Sequence, residues 1–157
     1  MRKLSVSTLV TLDGVVQDPG GLGETEHGGW SGPFFNDEAR QHAYDHLMAS
    51  DVFLLGRETY ELFKEFWSDE SDYAARMNSI PKLKQQPGRD ILMYGSPTLM
   101  RTLAKHDLID EYLVWVHPVV LGSGKRLFGE GFEKTTLKLV DTEPLSSGVV
   151  ILTYRPA

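Results

Sequence analysis

The residues best placed to do chemistry sit at two glycine-marked turns. The first is Leu54-Leu55-Gly56-Arg57-Glu58-Thr59-Tyr60, and the second is Leu92-Met93-Tyr94-Gly95-Ser96-Pro97-Thr98-Leu99. Each follows a short apolar run opened by an aspartate (Asp51 to Leu55; Asp90 to Tyr94) and leads into a helix-like stretch. A helix that starts directly off a strand aims free backbone N–H groups, and the positive end of its dipole, at the space beyond the strand. That makes an anion site, and two on one sheet suit the two ends of a dinucleotide. Arg57 and Thr59 add a cation and a hydroxyl to the first helical turn, both able to bind phosphate. Gly95 lets backbone approach a ligand closely. The plainer alternatives are a solvated arginine at the first turn and simple capping at the second.

Other motifs are weaker. No Gly-x-Gly-x-x-Gly follows a strand. The run Gly122-Ser123-Gly124-Lys125-Arg126 is not a phosphate-binding P-loop, because Val119 stands where its first glycine belongs and Arg126 replaces the Ser or Thr. His42 and His46 have metal-ligand spacing on a helix, but Ala43 stands where a zinc-protease helix carries Glu. We therefore expect no metal. His117, before Pro118 in an apolar strand, reads either as cleft-facing or as a satisfied core histidine. Asp37 and Glu38 open a helix, where acids complement the dipole; one of them could instead reach a pocket as proton donor. Asp13, in Thr11-Leu12-Asp13-Gly14, is a turn residue or a cleft residue. No nucleophile elbow or Ser-His-Asp order is present.

The totals narrow the classes. A chain of 157 residues suits a single domain spanning 1–157, large enough to bury a core. Cysteine is absent, which removes thiolate chemistry and fits a reducing cytoplasm. A net charge of −6 argues against nucleic-acid binding. No apolar run reaches membrane-spanning length, and the start lacks the pattern of a signal peptide.

The elements that must position these residues follow from periodicity. Leu4 to Leu12 alternates as a strand ending at Asp13-Gly14. Gln17 to Gly32 carries six glycines and reads as a long mobile loop, either a binding loop or a disordered one. Asn36 caps a helix to about Ala49, with Ala39, Ala43, Leu47 and His46 or Met48 inward. Asp51 to Leu55 is a strand, and Arg57 to about Phe66 a helix with Tyr60, Phe63 and Trp67 at core spacing. Asp90 to Tyr94 is a strand, followed by a helix from Ser96 to about Lys105 with Pro97 at its first position. Glu111 to Val120 is a strand, and Leu137 to Thr142 with Gly148 to Tyr154 a final hairpin. The expectation is an α/β protein whose mixed sheet is flanked by helices. At Lys82-Leu83, a strand approach joins a helix tail with too little chain for a βαβ crossover between them, so a segment is missing there.

These motifs resemble the dihydrofolate-reductase-like superfamily, in its branch related to the C-terminal reductase domain of the riboflavin-biosynthesis enzyme RibD. The resemblance rests on Thr11-Leu12-Asp13-Gly14, Leu55-Gly56-Arg57-x-Thr59-Tyr60, Tyr94-Gly95-Ser96-Pro97-x-Leu99 and Asp110-Glu111. It rests most on Val116-His117-Pro118-Val119-Val120-Leu121-Gly122-Ser123-Gly124-Lys125-x-Leu127-Phe128. It implies a three-layer fold with a mostly parallel mixed sheet, a C-terminal antiparallel hairpin and helices on both faces. It also implies NADPH as cofactor, a small-molecule substrate and a homodimer. By resemblance, Gly56, Arg57 and Thr59 hold the adenosine phosphate side, and Gly95, Ser96, Thr98 and Leu99 the pyrophosphate. The nicotinamide lies near Val10 and Thr11. Asp13, Trp30, Phe34 and His117 line the substrate cleft, and Asp37 is the candidate pocket acid. The implied activity is hydride transfer to a pyrimidine- or pterin-like heterocycle, or to a ribosyl or carbonyl group. The alternative is a nucleotide- or pterin-binding protein without turnover. The family normally carries a strand and part of a helix at the Lys82-Leu83 junction, where the strand's end helps bind the adenosine 2′-phosphate.

Overall fold

A computed structural model of the chain describes residues 2–56, 59, 61 and 87–157. Among the described residues, six strands form one sheet in the order β2-β3-β1-β4-β6-β5. They are β1 (Leu4–Thr11), β2 (Ser50–Leu55), β3 (Asp90–Tyr94), β4 (Glu111–His117), β5 (Leu137–Pro144) and β6 (Val150–Pro156). Strands β2, β3, β1 and β4 run parallel; β6 is antiparallel to β4, and β5 to β6. This is the mixed sheet with a terminal hairpin expected from the sequence. Among the described residues two longer helices accompany it, α1 (Asp37–Met48) and α2 (Pro97–Lys105).

Alternation along the strands separates two cores, since successive side chains leave a strand on opposite faces. Leu4, Val6 and Val10 of β1 pack with Tyr112 and Val114 of β4, Met93 of β3 and Met100 of α2. On the other face, Trp115 and Ile151 pack against Ala39 and Ala43 of α1, while Leu47 packs on Phe53 and Leu92. The helices therefore cover opposite faces, giving three layers. Asn36 caps α1 as expected, its Oδ1 accepting from Ala39 N at 3.0 Å.

Several boundaries moved by one to three residues, and two of the shifts have a clear cause. β4 ends at His117 rather than Val120, because Pro118 has no N–H to continue the ladder. β6 begins at Val150 rather than Gly148, since Gly148 takes a φ of 93° in the hairpin turn. After Gly56, Thr59 and Glu61 are helical. The rest of the expected helix, with Arg57, Tyr60, Phe63 and Trp67, lies outside the described residues, as does the Lys82-Leu83 junction.

The amino ends of the strands are held by charge. Glu111 is 8% exposed and meets Lys3 Nζ at 3.1 Å and Arg155 Nη2 at 2.9 Å. Burial pushes its carboxyl up, but hydrogen bonds and charge from Arg155 and Lys3 outweigh that and hold it below the ordinary value. Its folded pKa is depressed, so its contribution is present above about pH 4.3 and is lost as pH falls through the folded value. Glu111→Gln should cost about 1–2 kcal/mol at neutral pH, between surface and buried pair values because both partners reach solvent. Urea unfolding at pH 7 and pH 3 checks this: the difference between variant and wild type should shrink at the lower pH.

Candidate functional site

The four parallel strands place their carboxyl ends on one edge of the sheet, where open α/β sheets bind ligands. Both glycine turns lie there, and the structure brings them into contact. A Cβ built on Gly56 would lie 2.7 Å from Ser96 Cβ, and one on Gly95 would lie 3.6 Å from Thr59 Oγ1 and Cγ2. Glycine at position 56 is thus the condition for the two turns to touch.

The second turn has a backbone that the sequence did not announce. Gly95 and Ser96 both take left-handed conformations, with φ of 58° and 55°. For a serine this costs on the order of 1 kcal/mol. Ser96 Oγ accepts from Leu99 N at 3.3 Å, which caps α2 and offsets part of that strain. Pro97 has no N–H, and the Leu99 amide is used by the cap. Of the cofactor residues suggested in this turn, Thr98 therefore offers a first-turn amide with no acceptor among the described residues, while Leu99 serves the cap and packs against the core.

β1 completes the edge. It pairs with β3 only as far as Ser7, opposite Tyr94, but with β4 through to Thr11, opposite His117. From Thr8 to Val10 its backbone has no strand partner on the β3 side among the described residues. Val10 itself points into the α2-side core. Thr11 N donates to Val15 O at 3.0 Å, and Thr11 Oγ1 donates to Asp13 at 2.6 Å and accepts from Val15 N at 2.9 Å.

Asp13 is braced rather than free. Its carboxylate accepts from Thr11 Oγ1, from Gly122 N at 2.7 Å and from Leu121 N at 3.2 Å. Arg126 donates to its carbonyl. Chiefly the Thr11 hydroxyl and the Gly122 amide lower its pKa to about 2. Val16 N to Lys125 O and Leu127 N to Gly14 O, both 2.9 Å, complete an interlocked double loop. The long glycine motif after His117 therefore buttresses the β1 turn.

The glycine loop has its own frame instead of the mobile stretch expected. Asp18, 4% exposed, accepts from the amides of Leu22, Glu24 and Thr25. Ser31 Oγ donates to Pro19 O at 2.7 Å and Trp30 Nε1 to Gln17 O at 2.9 Å, closing the loop at its base. Such a closed, self-packed segment is an Ω-loop. The Asp-Pro-Gly-Gly sequence at its start was the available signal.

Trp30, Phe34 and His117 come together as the sequence proposed, but Trp30 and His117 are buried and Phe34 is partly buried. His117 is 1% exposed, with the edges of Trp30 and Phe34 at centroid distances of 5.2 and 6.0 Å. Its Nδ1 lies 2.9 Å from Trp115 O. Burial lowers its pKa, opposed by the carbonyls of Trp115 and Val10, and the net shift is downward. The core reading of His117 is the one realised.

Asp37 does not reach this region. Its carboxylate is fully exposed and pairs with Arg40 at 2.9 Å. The inward face of α1 is Ala39, Ala43 and Leu47, and Asp37 lies on the opposite side of the helix. Glu38, its neighbour, accepts from the hydroxyl and amide of Ser146 and ties α1 to the terminal hairpin. His42 and His46 diverge, the first to Glu143 at 3.4 Å and the second against Trp115. Among the described residues, no cluster of three or more metal-ligating side chains forms, and no helix is long and apolar enough to cross a membrane.

Comparison with known proteins agrees with this architecture. Residues 74–151 match the model of the RibD C-terminal domain. The chain is 31% identical to the uncharacterized protein YyaP of Bacillus subtilis (strain 168), over 98% of this chain and 95% of that one. A pyrimidine reductase-like protein from Corynebacterium diphtheriae superposes with a TM-score of 0.66 at 12% identity, covering 99% of this chain and 92% of the other. A diaminohydroxyphosphoribosylaminopyrimidine deaminase/5-amino-6-(5-phosphoribosylamino)uracil reductase from Thermotoga maritima gives 0.63 at 14% identity, covering 99% of this chain and 57% of that one.

Proposed function

Because the chain belongs to the RibD C-terminal domain family, we propose that it is an NADPH-dependent reductase of a small substrate. The substrate class is a pyrimidine- or pterin-like heterocycle, or a ribosyl or carbonyl group. The observation that carries this reading is the meeting of Gly56 and Thr59 with Gly95 and Ser96, beside the Thr8–Val10 edge of β1, which has no strand partner on the β3 side among the described residues. Two solved proteins of the same fold are a pyrimidine reductase-like protein and a deaminase/5-amino-6-(5-phosphoribosylamino)uracil reductase, which points the substrate class toward pyrimidines.

The residues fit a dinucleotide. The Thr98 amide and the positive end of α2 suit a phosphate. The Thr8–Val10 edge of β1, without a strand partner on the β3 side among the described residues, suits a planar amide, which pairs with extended backbone as a strand does. When bound, NADPH supplies the hydride, and the protein supplies placement. Asp13 and the double loop hold the end of β1 rigid. The Ω-loop, with Trp30 seated on His117, forms a fixed wall beside that end.

A second reading, binding without turnover, is favoured by one observation: Asp37, the acid suggested for proton donation, faces solvent. The two readings separate when NADPH oxidation is followed against a panel of pyrimidine, pterin and quinone acceptors. Oxidation dependent on any acceptor supports the reductase. Tight NADPH binding with no oxidation by any acceptor supports the binding protein.

A further inference from the structure

His42 and His46 are one helical turn apart on α1 and meet different surroundings. His42 faces Glu143 of β5 at 3.4 Å. His46 lies one turn beyond the buried Ala43, on the side of α1 that packs on the sheet. Its ring meets Trp115 of β4 edge to face, with centroids 6.0 Å apart. Trp115 is otherwise surrounded by apolar groups, among them Ala43, Leu145 and Ile151. The Nδ1 of His46 and the Nε1 of Trp115 are both enclosed, and neither has a hydrogen-bond partner among the described residues.

A neutral ring tolerates this place better than a charged one. Neutral imidazole carries one N–H, whereas imidazolium carries two and needs an acceptor at each. A proton on Nδ1 of His46 would have no acceptor, and the ring would bring a charge into apolar surroundings. The charged groups that face it are His42 and Asp45 on α1, Glu143 on β5 and Glu111 on β4. The three carboxylates are engaged elsewhere. Glu143 lies against His42, Glu111 against Lys3 and Arg155, and Asp45 accepts from Gln41 Nε2 at 2.8 Å. Burial first, then His42, lowers the pKa of His46 against the pull of these carboxylates. The contribution of the ring is therefore present above about pH 6.5 and is lost as pH falls through the folded value.

We propose that His46 is a proton-operated latch for α1: the neutral ring holds the carboxyl-terminal half of the helix on Trp115, and protonation drives the ring out and frees that half from the sheet. The amino-terminal half has other ties. Glu38 accepts from the hydroxyl and amide of Ser146, and Asn36 Nδ2 donates to Ser146 Oγ at 3.3 Å. A proton on His42 strengthens its pair with Glu143. The helix therefore opens from its carboxyl end. Opening also uncovers Leu47, packed on Phe53 and Leu92, so the open form is a minor population of the kind amide exchange detects. The carboxyl end of α1 runs into β2, whose last residue precedes Gly56. Acid thus loosens the element that leads to the first glycine turn.

The test is amide hydrogen exchange of wild type and His46→Gln between pH 7.5 and pH 5, corrected for intrinsic rates. Glutamine keeps a polar side chain of similar reach and does not titrate. In wild type, protection of residues 43–48 should fall at least about tenfold more than that of β1 and β4 on acidification. In His46→Gln that excess should vanish. NMR titration of the His46 ring in wild type should give a midpoint that coincides with the fall, a check that does not depend on the variant folding. A fall at α1 no larger than that of β1 and β4 overturns the latch and assigns the acid response to the fold as a whole, with His117 as its source. An excess that persists in His46→Gln overturns it as well. So does a His46 ring that titrates with no change of protection at α1.

Discussion

Gly56→Ala is expected to weaken NADPH binding by at least about tenfold and to lower stability by about 1–2 kcal/mol. The new methyl group would sit 2.7 Å from Ser96 Cβ, inside any normal carbon–carbon contact. Ser96 cannot yield cheaply. Its backbone is already left-handed, and its Oγ caps α2 through Leu99. Pushing it away loses the cap, worth about 1 kcal/mol, and separates the two turns whose contact defines the site. Ser96→Gly is the informative companion. It removes the cap but relieves the left-handed strain, and it opens space beside Gly56. Combined with Gly56→Ala, it should recover part of the lost affinity. Thermal unfolding of the free variants and NADPH titration of each measure the two effects separately.

His117→Ala should give the largest loss of stability, about 3 kcal/mol, through removal of a fully buried ring and the cavity that follows. The ring supports both Trp30 and Phe34, so the loss should spread to the Ω-loop and show as faster proteolysis between residues 18 and 29. The pH dependence has a definite sign. Burial keeps the folded pKa of His117 below its ordinary value, so the unfolded chain takes up the proton first. The stabilisation is present above about pH 6.5 and is lost as pH falls through the folded value. Wild-type stability should therefore fall in mildly acid solution more steeply than that of His117→Ala. His46, also held low mainly by burial, leaves a residual slope in the variant. Urea unfolding at pH 5 and pH 8 checks both statements.

Much of the fold could be read from residue order. The alternation that opens β1, short apolar runs in β2 and β3, and the Asn36 and Ser96 caps each specify a local structure that survives packing. The terminal hairpin was legible for the same reason. The site was legible at its two glycine turns, where strand, glycine and helix start follow one another. What sequence could not supply was direction. Asp37 opens α1 as expected, yet Ala39, Ala43 and Leu47 turn it to solvent. His117 follows an apolar strand in either reading, and only the arrival of Trp30 and Phe34 decides that it is buried. Asp13 and the glycine motif around Gly122 lie more than a hundred residues apart, so their mutual bracing has no local signature. Ser96 carries a backbone conformation usually left to glycine. Each of these depends on what the rest of the chain brings against it.

The central claim is that this edge of the sheet holds a reduced dinucleotide. Thermal-shift and fluorescence titration of the intact protein with NADPH, NADH and NADP⁺ tests it most directly. The account predicts saturable stabilisation by NADPH, about 2.7 kcal/mol at a hundredfold excess over the dissociation constant, falling to about 1.4 kcal/mol or less in Gly56→Ala at the same concentration. No stabilisation by any of the three, in a protein that melts cooperatively, would contradict it.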